Sequence, residues 1–411
     1  MEARCKTLAK NAIGLDLDFL SGPRTGVANY TARLIQAVLR AEPTLCYIAF
    51  TNFRWNELTG ASLQDVVDQP ESVEASGRTA ATGHTGGLAS RAVRLIARDK
   101  SARAIYRKAR GLLFAALAPT SRLALFHAFN FRPPRDPGVP VLPVIHDLST
   151  FRHPGLHPPD RVQWLDPVAR TIARAPMVQT VSQFSKRDIV DLFGYPADRI
   201  FVAPPAASSF FMAMGEEPTS RVLAPLGLSY GRFFLTVGSL EPRKNVRTLI
   251  SAYARLAPSD RARCPLVAVG GKGWGDLNLP SETEALCREG SLRFLDGISN
   301  AQLRSLYEGA RLLLMPSLYE GFGMPIVEAL ACGTPVAFSA GTAMEEIAAG
   351  HGRTAEAMDA EGWTDILRDA LAGHAHCDPG LRQARIARAR AFSWQRSAES
   401  VLEAYRRLIP Q

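Results

Sequence analysis

The stretch from Leu312 to Ser339 limits what this chain can fold into more than any other. It opens on Leu312-Leu313-Leu314-Met315, a short apolar run of the kind that forms a strand buried on both faces in a parallel sheet. Beyond a glycine-containing loop, Pro325 stands where a first helical residue belongs, and Glu328-Ala329-Leu330-Ala331 continues as good helix. Gly333-Thr334-Pro335-Val336 then turns into another strand. In the loop, Gly321-Phe322-Gly323-Met324 can bring backbone N–H groups close to a ligand, and the helix N-terminus that follows suits an anion. Glu320 and Glu328 flank the loop. A carboxylate is a poor partner for phosphate and a good acceptor from hydroxyls. Phosphate and hydroxyls together point to a nucleotide sugar.

The rest of the chain repeats the alternation. Apolar runs at Ile13–Leu17, Leu45–Thr51, Leu123–Phe126, Val141–Ile145, Val178–Ser182 and Ile200–Val202 read as strands, with a helix over Val27–Leu39. A second series follows at Phe233–Gly238, Leu266–Gly270, Leu292–Leu295 and Leu312–Met315. Between the series, Ala206–Ser229 is rich in Pro, Gly and Ser without strong periodicity and reads as a linker. At 411 residues the chain is too long for one ordinary core. The expected class is therefore α/β, with two doubly wound, Rossmann-like domains facing a cleft.

Several residues at strand ends can carry chemistry. Arg243 and Lys244 sit at the mouth of the strand–helix turn after Phe233–Gly238 and are the strongest diphosphate candidates. Gly26, just before the first helix, and Gly238 and Gly271 are further points of close backbone approach. Gly271-Lys272-Gly273-Trp274-Gly275 is neither a dinucleotide fingerprint nor a P-loop. His127 and His146 each end a strand; His127 reads as a packed residue and His146 as a site residue. Asp16-Leu17-Asp18 formally spells a metal-binding D-x-D but lies at the end of the first strand, and no metal is expected.

The Glu320-(seven residues)-Glu328 spacing within PSLYEGFGMPIVEALACGTPV resembles the E-x7-E loop of family 4 retaining glycosyltransferases, which have the GT-B fold. Arg24-Thr25-Gly26-Val27-Ala28-Asn29-Tyr30-Thr31 resembles that family's first glycine loop, with Ala28 where many members carry a second glycine. His146-Asp147, Val181-Ser182 with the helix from Phe184, and Glu241-Pro242-Arg243-Lys244-Asn245 resemble its "HD", "SxxS" and "PRKN" segments. Glu346 aligns with a family glutamate, although Glu345 replaces the usual proline. Phe392-Ser393-Trp394 and the helix after it resemble the C-terminal helix that crosses back to the first domain.

The resemblance implies an acceptor domain over 1–208, a donor domain over 209–391 and a returning helix over 392–411. It implies that His146 reaches the donor sugar, that Arg243 and Lys244 hold the diphosphate, and that Glu320 holds sugar hydroxyls. Glu328 would hold the ribose and Ile298 would lie near the nucleobase. It also implies retaining hexosyl transfer without a metal or other cofactor. The HD turn and "EPRKN" are closest to mannosyl- and rhamnosyltransferases of polysaccharide assembly, favouring GDP-mannose as donor and a lipid-linked or glycan acceptor. Two other readings remain open from the sequence: a non-catalytic subunit binding sugar nucleotide, and an epimerase or pyridoxal-dependent phosphorylase on the same fold.

A net charge of +9 asks for an anionic partner. Arg91–Arg110 holds eight basic residues against Asp99, with Leu95, Ile96, Ile105 and Tyr106 at near-helical spacing. Such a helix fits an anionic membrane surface or a solvated face equally well, and Tyr106 alone is too little aromatic surface for nucleic acid. No apolar run approaches the roughly 18–20 residues needed to span a bilayer. Met1–Lys6 lacks an apolar signal core, and six scattered cysteines show no ligand spacing. The expectation is a cytoplasmic enzyme, peripheral on the inner face of the membrane if the helix docks there.

Overall fold

The computed structural model describes residues 11–17, 20, 26–51, 53–58, 100–373 and 375–409. Its strands form two sheets. The first contains β1 (Ala12–Asp16), β2 (Tyr47–Thr51), β3 (Arg54–Leu58), β4 (Leu123–Ala128), β5 (Val141–Ile145), β6 (Val178–Thr180) and β7 (Ile200–Val202), in the order β3-β2-β1-β4-β5-β6-β7. All neighbours are parallel except β2 and β3, an antiparallel pair at the edge.

The second sheet contains β8 (Phe234–Val237), β9 (Leu266–Val269), β10 (Leu292–Leu295), β11 (Leu312–Met315), β12 (Val336–Ser339) and β13 (Gly352–Ala355). Its order is β10-β9-β8-β11-β12-β13 and every pair is parallel. The central strands β9, β11 and β12 are buried along their whole length, as runs of Leu, Val and Ala in a sheet covered on both faces must be. The edge strands β3 (RWNEL) and β13 (GRTA) are half-polar and part-exposed, and for that reason no apolar run announces them.

In both sheets the order reverses beside the first strand, between β1 and β4 and between β8 and β11. A doubly wound sheet opens a crevice at that point, beyond the carboxyl ends of its strands. The fold expected from the sequence, a two-domain GT-B arrangement, is the one observed. The first helix runs over Gly26–Ala41, with Tyr30, Leu34, Ile35 and Val38 buried. The Trp394–Leu408 helix packs against it rather than on the second sheet. There Ser397 Oγ donates to the Pro204 carbonyl (2.5 Å), the Tyr405 hydroxyl bonds His127 Nδ1 (2.7 Å), and Trp394 lies 5.6 Å from the Tyr30 ring. His127 is thus a core residue, and burial pushes its pKa down to about 3.

One expectation needs correction. Part of the Ala206–Ser229 stretch is a helix, Glu216–Leu223. It is held by the buried Glu308 carboxylate, which accepts from the backbone N–H groups of Met214 and Gly215 and from Thr219 Oγ1 (2.8 Å). Propensity does not show this helix because its anchor comes from a distant element. Of the basic segment Arg91–Arg110, residues 100–110 lie in the helix Lys100–Ala116, and residues 91–99 lie outside those described. Arg110 turns inward to pair with Asp16 and covers the Phe50 ring, and Tyr106 packs on Phe53. Among the described side chains Ile105, Lys108, Leu112 and Leu113 are exposed, as is Leu117 just past the helix. Among the described residues no helix is long and apolar enough to cross a membrane.

Candidate active site

The β8 and β11 strands flank the reversal of the second sheet, and the segments leaving their carboxyl ends meet. After β8, Pro242–Lys244 makes a single 3-10 turn, and Asn245 takes a left-handed conformation to start the next helix. Asn245 Nδ2 donates to the Pro316 carbonyl (3.0 Å) and to the Ala357 carbonyl (2.6 Å), tying the two segments together. Asn245 is therefore in the motif for the backbone it holds.

This geometry brings three of the expected residues onto one another. Lys244 Nζ lies 2.6 Å from Glu320 Oε1, and Arg243 Nη1 lies 3.2 Å from Glu320 Oε2. Burial opposes ionisation of Glu320, but Lys244 and then Arg243 outweigh it and hold its pKa at about 2. Burial likewise opposes the Arg243 charge, and Glu320, Asp147 and Glu241 together outweigh it. Sequence reasoning does not single out Glu241. Its almost fully buried carboxylate accepts from Arg243 Nη2 (2.7 Å), and burial pushes its pKa upward against the pull of Arg243 and Lys244. Lys244 is the most exposed of the three, at 17% of its side chain against 11% for Arg243 and 9% for Glu320. It is the group best placed to leave its partner for a ligand.

The other residues expected on the donor side lie at different depths. Gly238 packs against the Lys244 stem, and the Gly271 carbonyl accepts from Leu240 N–H (3.0 Å). A small pocket between the two segments is lined by Gly238, Ser239, Lys244, Val246, Met315 and Ser317. Gly323 caps the Met324–Ala331 helix with φ 97°, a conformation that L side chains rarely adopt. Phe322 is buried, its ring 5.5 Å from Phe392. Glu328 lies one helical stretch further on and accepts from the Tyr307 hydroxyl (2.8 Å). Ile298 is buried in the loop after β10, before a capping box at Ser299. Gly26 is the first residue of its helix, with no atom of the described residues within 4 Å of where a Cβ would stand.

Gly321 serves a purpose that spacing does not reveal. A Cβ there would stand 2.2 Å from the His146 carbonyl oxygen and 2.6 Å from Asp147 Cβ. The space that glycine leaves is filled by the other domain. His146 thereby reaches the loop through its main chain. Its ring donates from Nε2 to the Phe129 carbonyl (2.7 Å), packs edge-on to Tyr30, and has its pKa lowered by burial. The Asp147 carboxylate accepts from the Ser149 N–H and Oγ; burial opposes its charge, and Arg243, these two bonds and Arg161 together outweigh burial and lower its pKa. Asp16 is paired with Arg110, and Asp18 lies outside the described residues.

The family model described as "Glycosyl transferases group 1" matches residues 228–391, the segment that carries Arg243, Lys244 and Glu320. The O-antigen chain mannosyltransferase B of Escherichia coli is 34% identical over 285 residues, covering 69% of this chain and 74% of that protein. The chain belongs to the group 1 glycosyltransferases. The D-inositol 3-phosphate glycosyltransferase of Actinosynnema mirum is 31% identical over 296 residues, covering 65% of this chain and 67% of that one. Among solved structures, sucrose-phosphate synthase from Thermosynechococcus elongatus superposes with a TM-score of 0.63 at 19% identity, covering 97% of this chain and 99% of its own. WaaG, a glycosyltransferase involved in lipopolysaccharide biosynthesis, gives 0.60 at 19%, covering 97% and 100%. At that identity the two structures speak to the fold alone. In this glycosyltransferase the family's "PRKN" and E-x7-E segments are the two loops beside the reversal of the second sheet.

Proposed function

We propose that this glycosyltransferase moves mannose from GDP-mannose onto a lipid-linked or growing polysaccharide acceptor, with retention at the anomeric carbon and without a metal ion. The observation that carries the reading is the convergence of Arg243 and Lys244 on Glu320 at the β8–β11 crevice. Fixed cations beside a leaving diphosphate supply the charge stabilisation that a metal provides in other transferases. Lys244 exchanges its partner for the diphosphate, Arg243 remains anchored by Glu241, and Glu320 accepts from donor-sugar hydroxyls. Glu328 holds the ribose, and the loops at Gly238, Gly271 and Ile298 enclose the nucleotide. Residues 1–208 take the acceptor and 209–391 the donor. With no enzyme nucleophile assigned, the acceptor hydroxyl attacks from the leaving-group face and a phosphate oxygen takes its proton. Similarity to an O-antigen chain mannosyltransferase supports the sugar and the setting.

A thermal-shift screen against UDP-, GDP-, ADP- and dTDP-sugars tests the donor, since a ligand bound only by the folded state raises Tm. GDP-mannose is expected to give the largest shift and to support transfer in excess EDTA. Stabilisation by another sugar nucleotide with none by GDP-mannose overturns the donor; EDTA-sensitive transfer restored by magnesium overturns metal independence. Lys244→Ala should cut turnover roughly 100-fold, the loss of one charge-assisted contact in the transition state.

We further propose that the outward apolar face of the Lys100–Ala116 helix rests on an anionic membrane, so that the enzyme is peripheral on the inner face of the plasma membrane and meets a lipid-linked acceptor there. Ile105 is 70% exposed and Leu117 52%, and exposed Lys108 sits beside them. Apolar side chains backed by cations are what an interfacial helix requires.

A further inference from the structure

Leu318–Gly321 carries Glu320, the carboxylate proposed to hold the donor sugar, and the inference rests on that reading of the site. The backbone of this segment is pinned residue by residue. Leu318 N–H donates to the Arg243 carbonyl (2.8 Å), the Tyr319 carbonyl accepts from Arg243 Nη1 (2.7 Å), and the Glu320 carbonyl accepts from Ala343 N–H (3.3 Å). Those three partners belong to the second domain.

The other anchors come from across the cleft, most of them from the helix Gln183–Phe193 and its cap. The Gly321 carbonyl accepts from Ser182 Oγ (2.6 Å) and from Ser185 Oγ (3.1 Å). The Tyr319 hydroxyl donates to Asp188 Oδ2 (2.6 Å) and accepts from Leu148 N–H (3.3 Å). Asp188 is held in turn by Arg152, at 3.0 and 2.7 Å. In the reverse direction, Glu346 of the second domain accepts from the N–H groups of Gln183 (2.8 Å) and Phe184 (2.9 Å), stapling the same helix end. Glu320 therefore stands between two residues that the first domain holds directly.

We propose that Ser185 and Asp188 are positioning residues for Glu320. Their hydrogen bonds to Gly321 and Tyr319 set the carboxylate between them against the donor sugar. The nucleotide subsite is built within the second domain; the sugar subsite is complete only when the two domains meet.

The test uses the full-length chain and the variants Tyr319→Phe, Ser185→Ala and Glu320→Ala, with GDP and GDP-mannose as probes. In Tyr319→Phe and Ser185→Ala, kcat should fall about tenfold while GDP affinity stays within about twofold, as expected for a small misplacement that acts on the chemical step. Hydrogen exchange of residues 318–323, measured without donor, should accelerate at least about fivefold in both variants, with β8 and β11 unchanged. Wild-type kcat, unchanged loop exchange, or loss of GDP binding in step with kcat overturns the positioning role. If Glu320→Ala is inactive and the two conservative variants turn over normally, that role alone falls. If Glu320→Ala turns over normally, the donor-sugar assignment falls with it. The exchange measurement needs no donor and decides the positioning role even where another sugar nucleotide proves to be the substrate.

Discussion

Glu320 meets two cations in a nearly dry site, and its titration is where that arrangement can be read directly. Its folded pKa, about 2, lies below the ordinary glutamate value, so the ionised carboxylate stabilises the fold. That stabilisation is complete above the unfolded pKa of roughly 4.3 and is lost as pH falls from there through the folded value. Glu320→Gln should therefore melt below the wild type at pH 7, with the gap closing as pH falls below about 4. A gap independent of pH, followed by differential scanning calorimetry, would show that the ion pairs do not set the difference. The residue types were legible at this scale: a cation pair after one strand and a carboxylate after another. That Lys244 rests on Glu320 was not legible, because the contact depends on how the β8 and β11 loops fold onto each other; that Glu241 turns inward beneath Arg243 depends on the local 3-10 turn and its burial.

Among the elements, Lys100–Ala116 departs most from its sequence. Its charges were conspicuous; Arg110 is spent on Asp16, and among the described side chains Ile105, Leu112 and Leu113 stand exposed beside Lys108. Each such side chain entering the interface is worth roughly 1 kcal/mol, and each nearby cation at most about 1 kcal/mol at low salt. Replacing Ile105, Leu112 and Leu113 together by Asp should reduce sedimentation with anionic liposomes at least about tenfold, while transfer to a short soluble acceptor continues. Equal sedimentation of the variant and the wild type, or equal binding to neutral and anionic vesicles at low and high salt, would mark a face with no membrane role.

For the whole molecule, the decisive feature is that the two domains touch. Besides the Tyr319–Gly321 contacts, Trp274 reaches across from the loop after β9: its indole N–H donates to the Leu156 carbonyl (3.0 Å), and the Arg161 guanidinium stacks 4.8 Å from its ring. Trp274→Ala should let the domains part, raising the radius of gyration seen by X-ray scattering and slowing transfer about tenfold without weakening GDP binding. An unchanged scattering profile would show that closure does not depend on this contact. The returning helix Trp394–Leu408 joins the ends of the chain in the same way, burying Val401, Leu402 and Tyr405 on the first domain.

By itself the sequence determined the local and periodic matters: where buried parallel strands lie, which loops come after them, and which charged residues stand at their ends. These depend on a few neighbouring side chains, so apolar runs such as Leu312–Met315 and turns such as Gly333–Val336 suffice. The polar edge strands β3 and β13 escaped because their stability comes from a neighbour's ladder rather than from their own apolar surface. Tertiary structure alone decided what Gly321 is for, which carboxylate each cation meets, and which face of the Lys100–Ala116 helix is left outward. Each of these is a contact between distant parts of the chain, and its energy comes from desolvation and close packing that arise only when those parts come together.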